Sequence, residues 1–267
     1  GGTFTSYDGI ARKNLVRINL QAPPISTRVM LEGPYNGTTM NDALRTLPSF
    51  PSTTPFPAMG YSNTNYVSSA ALPASMLNVT GNNAIVDWVI VEMRYPGSPF
   101  SAAATEAFVQ RDGDVVDRLG NVIQFPDLWR GTYCMVVRPR NHLPAMMATA
   151  TPLVFNGAQT QAVDFTLPTT SLYDEDARKN INGVMVLAAG DVTFNATVKY
   201  SGTGNDRDPI LTRVGSATPN NTVSGYWRED VNMDGVVKYT GSANDRDIIL
   251  TNVGSTTPNN SRVATLP

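Results

Sequence analysis

Residues 191 to 221, "DVTFNATVKYSGTGNDRDPILTRVGSATPNN", recur as residues 230 to 260, "DVNMDGVVKYTGSANDRDIILTNVGSTTPNN", at a fixed offset of 39 with 20 of 31 positions identical. Identity at that level is a tandem duplication. Each copy reads as a polar loop, then "NDRD" as a helix start with Asn and Asp near the cap. An apolar "PILTRV" or "IILTNV" follows, stopped by Gly215 or Gly254. Two loop-plus-short-helix units are therefore expected to close the chain.

The second loop begins as a calcium loop does. An EF-hand-type loop supplies oxygens at positions 1, 3, 5, 7 (by backbone), 9 and 12, with Gly at 6 for the sharp turn. Asp230, Asn232, Asp234, Gly235 and the carbonyl of Val236 fit the first half, but position 12 is Gly241, which has no side-chain oxygen. We read "KYTGSA" as an insertion that moves the closing carboxylate outward to "NDRD", with Asp247 favoured and Asp245 close behind. The first copy keeps Asp191, Asp206 and Asp208 but has Thr193 and Asn195 at positions 3 and 5, and Ala196 in place of the Gly. Fewer charges predict weaker binding there. The implied cofactor is Ca2+, one or two ions, held at the affinities of extracellular modules, with dissociation constants on the order of 0.1–1 mM. Cytosolic calcium would leave such loops empty, which favours secretion.

Upstream of residue 170 the texture changes to short apolar or alternating runs: 27–33, 84–95, 106–113, 131–140 and 162–167. They are rich in Val, Ile and aromatics, and Gly, Pro, Asn and Asp clusters separate them. This predicts a mainly β chain, an antiparallel sandwich (Ig-like or prealbumin-like) of about seven strands. "QRDGDVVD" supplies a hairpin turn at Asp112 and Gly113. A helix is expected at "MNDALRTL" (40–47), and a long surface loop from Pro48 to Tyr66. The organisation expected is an N-terminal arm over 1–22, a sandwich over 23–170, and a linker strand plus the tandem over 171–267. A weaker echo sets "ARKN" at 11–14 beside "ARKN" at 177–180.

The net charge of −2 offers no basic face, so nucleic acid is not expected as a partner. No run approaches the 18 apolar residues of a membrane span, and "GGTFTSYDGI" lacks the features of a signal peptide. The chain is then either cytosolic or a mature secreted form. Cys134 is the single cysteine, inside an apolar strand where a thiolate is disfavoured. His142 is the single histidine, read as structural or surface. Carboxylates such as Glu92, Glu106, Asp112, Asp114 and Asp117 cannot be paired from sequence, so no catalytic residue is assigned and no enzyme is expected. Asp112, Asp114 and Asp117 are read as turn residues before a further ion site. Tyr61, Tyr66, Trp129 and Trp227 are candidates for stacking on sugar, with a core position expected for Trp129.

The pattern "D-x-N-x-D-G-x-V-x-Y-x-G" followed by "NDRD-x-I-L-T" resembles the dockerin type of calcium repeat over roughly residues 188 to 260. The remainder, with "LEGPYN", "MNDALR", "VQRDGDVVD", "GTYCMVVRPRNHLPAMMAT" and "ARKNINGVM", is similar to large secreted bacterial surface proteins. In these a β-sandwich precedes the same repeat. The resemblance implies a secreted calcium-binding protein and carries no chemistry. Three roles follow as expectations: a self-assembling extracellular structural protein, a glycan-binding adhesin module, and a dockerin-like anchor for a secreted protein partner. The first is favoured. "ARKNLVRINLQAPP" offers an apolar extended run, Leu15 to Leu20, before a Pro-Pro break, and such an arm can add a strand to a neighbour's sheet. Head-to-tail donation gives a homopolymer, a filament.

Overall fold

A computed structural model describes residues 6–7, 10–11, 23–68, 70–126, 128–156 and 159–267. The Leu15 to Leu20 run lies outside the described residues. In chain order, β1 (Ser6–Tyr7) and β2 (Ile10–Ala11) pair as a small hairpin. Then come β3 (Ile25–Arg28), β4 (Tyr66–Val67), the one-turn α1 (Ala74–Leu77), β5 (Ile85–Arg94), β6 (Ser101–Gln110) and β7 (Asp114–Val116). β8 (Gly131–Pro139), β9 (Ala145–Met146), β10 (Leu153–Phe155) and β11 (Gln161–Asp164) complete the sheet. A hairpin of β12 (Arg178–Ile181) and β13 (Val184–Leu187) leads to the tandem. That comprises β14 (Thr197–Lys199), α2 (Arg207–Val214), β15 (Thr222–Ser224), β16 (Val236–Lys238), α3 (Asp245–Asn252) and β17 (Ser261–Val263).

The chain is mainly β, built on a curled, mixed, nine-stranded sheet of order β10-β8-β5-β6-β7-β3-β11, with β4 also on β6 and β9 also on β8. It departs from a wholly antiparallel arrangement at two places: β11 runs parallel to β3 and β4 parallel to β6. Parallel pairing joins strands distant in sequence, and no local turn signal announces it. The β6–β7 turn is the expected one, with Gly113 at φ 96° closing it through its N–H to the Gln110 carbonyl.

Every residue of β5, "IVDWVIVEMR", is buried, so the strand is covered on both faces. The Pro48–Tyr66 segment supplies one cover. Its Phe50 and Phe56 are buried, the Trp88 indole N–H donates to the Pro51 carbonyl at 3.2 Å, and the Tyr61 hydroxyl lies 3.2 Å from Glu92. The segment is the expected surface loop, pinned down by its aromatics, with Phe50 against Tyr226 and Phe56 against Tyr61 and Phe194. The helix expected at 40–47 is a single 3-10 turn, Ala43–Thr46, that buries Leu44.

The tandem is reciprocal. β14 of the first copy pairs with β17, which follows the second copy's helix, and β16 of the second pairs with β15, which follows the first copy's helix. The loops after β14 and β16 repeat the exchange: Ser201 Oγ donates to the Pro258 carbonyl, and Thr240 Oγ1 to the Pro219 carbonyl. Each copy therefore finishes the other's fold. Ile210, Val214, Ile249 and Val253 join the same continuous core as β5 and β8.

Candidate metal centre

Both loops carry the same backbone. Phe194 and Ala196 take φ of 60° and 63°, and their counterparts Met233 and Gly235 take 59° and 89°. These left-handed positions curl the chain so that two amides point back at the first aspartate. Asp230 accepts from Asp234 N (3.1 Å) and Gly235 N (2.8 Å), and Asp191 accepts from Asn195 N and Ala196 N (both 2.8 Å). Glycine takes this conformation freely, whereas Ala196 holds it at a cost of roughly 1–2 kcal/mol.

The second carboxylate of each loop is the first aspartate of "NDRD". Asp245 is buried and accepts from Val231 N (2.6 Å), Asn232 N (3.2 Å) and Lys238 N (2.7 Å). Asp206 does likewise with Thr193 N (2.9 Å), the Thr193 hydroxyl (3.0 Å) and Lys199 N (2.8 Å). Asp247, favoured from sequence as the closing group, points outward with its side chain 61% exposed, beside Arg246. The cause is a reciprocal cap: Asn244 Oδ1 accepts from Asp247 N at 3.1 Å, and Asn244 Nδ2 donates to Asp247 Oδ2 at 2.7 Å. Asn205 and Asp208 form the same pair, with Asp208 also exposed.

Asp230, Asn232 and Asp234 remain together along the second loop, with Val236 N donating to Asp234. Asn232 Oδ1 and Asp234 Oδ1 accept from Asp234 N and Val236 N at 2.9 Å each, which fixes both side chains. Burial pushes Asp230 up to about 6, a rise the Asp234 charge adds to and Arg140 opposes. Asp245 is pushed up to about 7 by burial, and the Asp230 charge adds to it. Asp191 is pushed up to about 7 and Asp206 to about 6, again chiefly by burial. Two buried carboxylates side by side are a disfavoured arrangement that a cation relieves. At Asp230 the Arg140 charge supplies part of that relief, while Lys238 Nζ lies 3.1 Å from Oδ2 of the partly exposed Asp234.

Among the described residues no three His, Cys, Asp or Glu side chains gather to hold an ion. Calcium also takes amide and carbonyl oxygens, and the residues that could hold it in the second loop are Asp230, Asn232 and Asp234, with the Val236 carbonyl next in loop order. The first loop, with Asp191, Thr193 and Asn195, fits it less well, since the Thr193 hydroxyl is donated to Asp206. Bound calcium would supply the positive charge these loops lack.

The second loop is seated on the sheet by residues the sequence did not single out. Asn141 Nδ2 donates to the carbonyls of Asp230 (2.7 Å) and Arg228 (3.1 Å), and Arg140 donates to the Trp227 carbonyl while paired with Asp87 at 2.9 Å. The Arg140 guanidinium also lies 4.3 Å over the Tyr226 ring, whose hydroxyl reaches Asp87 at 2.6 Å. Gly33 lies directly on the loop, and a Cβ there would stand 2.2 Å from the Val231 carbonyl oxygen. His142 is buried and structural. Its Nε2 accepts from Gly33 N at 3.0 Å, so Nδ1 carries the proton and donates to Asn141 Oδ1 at 2.8 Å. Burial, then the nearby Arg140 charge, pushes it down to about 3.

Elsewhere, Asp112 and Asp117 accept backbone amides of their own turns, and Asp114 pairs with Arg28 at 3.6 Å. Cys134 is buried in β8, and burial raises its thiol. Tyr61 and Tyr66 stack edge to face at 5.4 Å with their hydroxyls turned to Glu92 and Thr54. Trp227 is covered by Arg213 at 3.9 Å. Trp129, expected in the core, is 70% exposed, and only its carbonyl is engaged, accepting from the Tyr133 hydroxyl at 3.1 Å. Comparison of the chain with models of known families, with curated proteins and with solved structures finds no match in any of the three.

Proposed function

We propose that this chain is an extracellular calcium-binding structural protein, a subunit that assembles head to tail into a surface filament by strand donation, with its β-sandwich carried on the calcium tandem. The observation that supports the reading most is the twice-used loop backbone. In it Asp230, Asn232 and Asp234 stand at positions 1, 3 and 5, and the raised, buried Asp230 carboxylate is the group a cation would favour. Asp245 shapes this loop from within, whereas Asp247 serves the helix cap. The loop is seated directly on the sheet through Gly33 and Asn141, so a bound ion would stiffen the whole subunit. For assembly, the described edge strands β10 and β11 give a donated strand somewhere to pair.

Electron microscopy of the full chain with calcium and with a chelator tests the assembly. Filaments are expected with calcium and should be lost on deleting residues 1–22; filaments that survive the deletion would exclude strand donation. A second reading, a glycan-binding adhesin, is favoured by a cleft of about 480 Å³ lined by Tyr61, Asn63, Arg138 and Phe100, the last 76% exposed. Glycan-array binding abolished by Phe100→Ala would support it over the filament.

A further inference from the structure

Where the sheet meets the second repeat, three side chains from distant parts of the chain converge. Lys179 on β12 places Nζ 3.0 Å from Oδ1 of Asn252, the last residue of α3. Glu32 bridges both: its Oε1 is 2.6 Å from Lys179 Nζ, and its Oε2 accepts from Asn252 Nδ2 at 2.5 Å. The group is largely enclosed, with side chains 24% (Lys179) and 10% (Glu32) exposed and Asn252 7% exposed. It is also held from outside: Ala189 N donates to Glu32 Oε2 at 2.9 Å, and Asn252 Nδ2 donates to the Ala189 carbonyl at 2.8 Å.

An ion pair alone needs only the lysine and the glutamate. Here the same carboxylate also grips the amide nitrogen, while the amide oxygen rests on the amine. An amine nucleophile, a carboxamide electrophile and a proton carrier are thus in mutual contact, the juxtaposition that turns a slow bimolecular condensation into an intramolecular one. The duplication sharpens the point. The first copy has Arg213 where the second has Asn252, and Arg213 pairs with Glu229 at 3.1 Å and covers Trp227, an ordinary surface role.

We propose that Lys179 and Asn252 become joined by an intramolecular isopeptide bond, with Glu32 as the catalytic residue. Lys179 Nζ passes a proton to Glu32 and attacks Asn252 Cγ, forming the Nζ–Cγ bond. Glu32 returns that proton to Nδ2 and takes a second one from Nζ. The Cγ–Nδ2 bond then breaks, ammonia departs, and the proton left on Glu32 converts it to ammonium. No oxidant, reductant or further reactant is needed. The product ties the strand before the tandem to the tandem's last helix, whether or not the loops take calcium.

Intact-mass spectrometry of the full chain, followed by tryptic mapping, tests it. The mature protein should be lighter than its sequence by about 17 Da, the mass of ammonia. Trypsin should spare Lys179 and yield one branched peptide joining the Lys179 and Asn252 segments. Glu32→Gln and Lys179→Arg should each retain the full mass while giving the wild-type circular dichroism spectrum. Asn–Gly sites at Asn36, Asn156 and Asn182 can also lose ammonia by cyclising. A deficit that maps to those sites, or a full-mass folded chain with Lys179 and Asn252 in separate peptides, overturns the proposal.

Discussion

Asp245 and Asp247 lie two residues apart, and the first turn of α3 sends one inward and the other to solvent. Asp245 holds three loop amides, so Asp245→Ala should destabilise the chain by about 1–3 kcal/mol in urea unfolding. Asp247→Ala should cost about 1 kcal/mol at most, the value of a cap. The sequence carried the signal that separates them: "NDRD" is an Asn-x-x-Asp reciprocal cap, which commits the second aspartate to its helix. His142 makes a second case at this scale. Its folded form stays neutral down to about pH 3, whereas an unfolded histidine takes up a proton near 6.5. Stability from this residue is therefore full above pH 6.5 and falls as pH drops from there toward 3, by up to about 1.4 kcal/mol per pH unit. Denaturation of wild type and His142→Gln across pH 7 to 4.5 should show wild type losing its advantage. Parallel pH dependence of the two would contradict the buried neutral assignment.

At the scale of elements, strands with strong apolar character were legible in the sequence. The run 84–95 is β5 at Ile85–Arg94, 131–140 is β8 at Gly131–Pro139, and the Asp112–Gly113 turn joins β6 to β7. What could not be read was what each element packs against. The parallel contacts of β3 with β11 and β4 with β6, and the packing of Phe56 against Phe194, depend on residues far apart in the chain. The repeat was visible for 31 positions yet extends further: β15 and β17, "TVS" and "SRV", occupy equivalent places without sharing a residue, since a paired strand asks only for backbone. The seat of the second loop was also invisible, because Gly33 looks like any turn glycine until the Val231 carbonyl is found against it. Gly33→Ala forces backbone apart and should cost about 1–3 kcal/mol or more, read as a lower melting temperature. An unchanged melting point would mean the loop and the sheet do not depend on each other.

For the whole molecule, the sheet and the tandem share one continuous apolar core, bound by Arg140, Asn141 and Gly33 at the second loop and by Glu32, Lys179 and Asn252 at the end of α3. An ion taken up by the second loop should then stabilise the chain as a unit rather than a detachable C-terminal piece. The most direct measurement is a calorimetric calcium titration of the chelator-treated full chain, with thermal unfolding recorded at each end point. Binding is expected with a dissociation constant on the order of 0.1–1 mM or tighter. A single unfolding transition should shift upward with it, both effects lost in Asp230→Ala and kept in Asp247→Ala. No heat of binding and no shift at millimolar calcium would contradict calcium binding by the second loop.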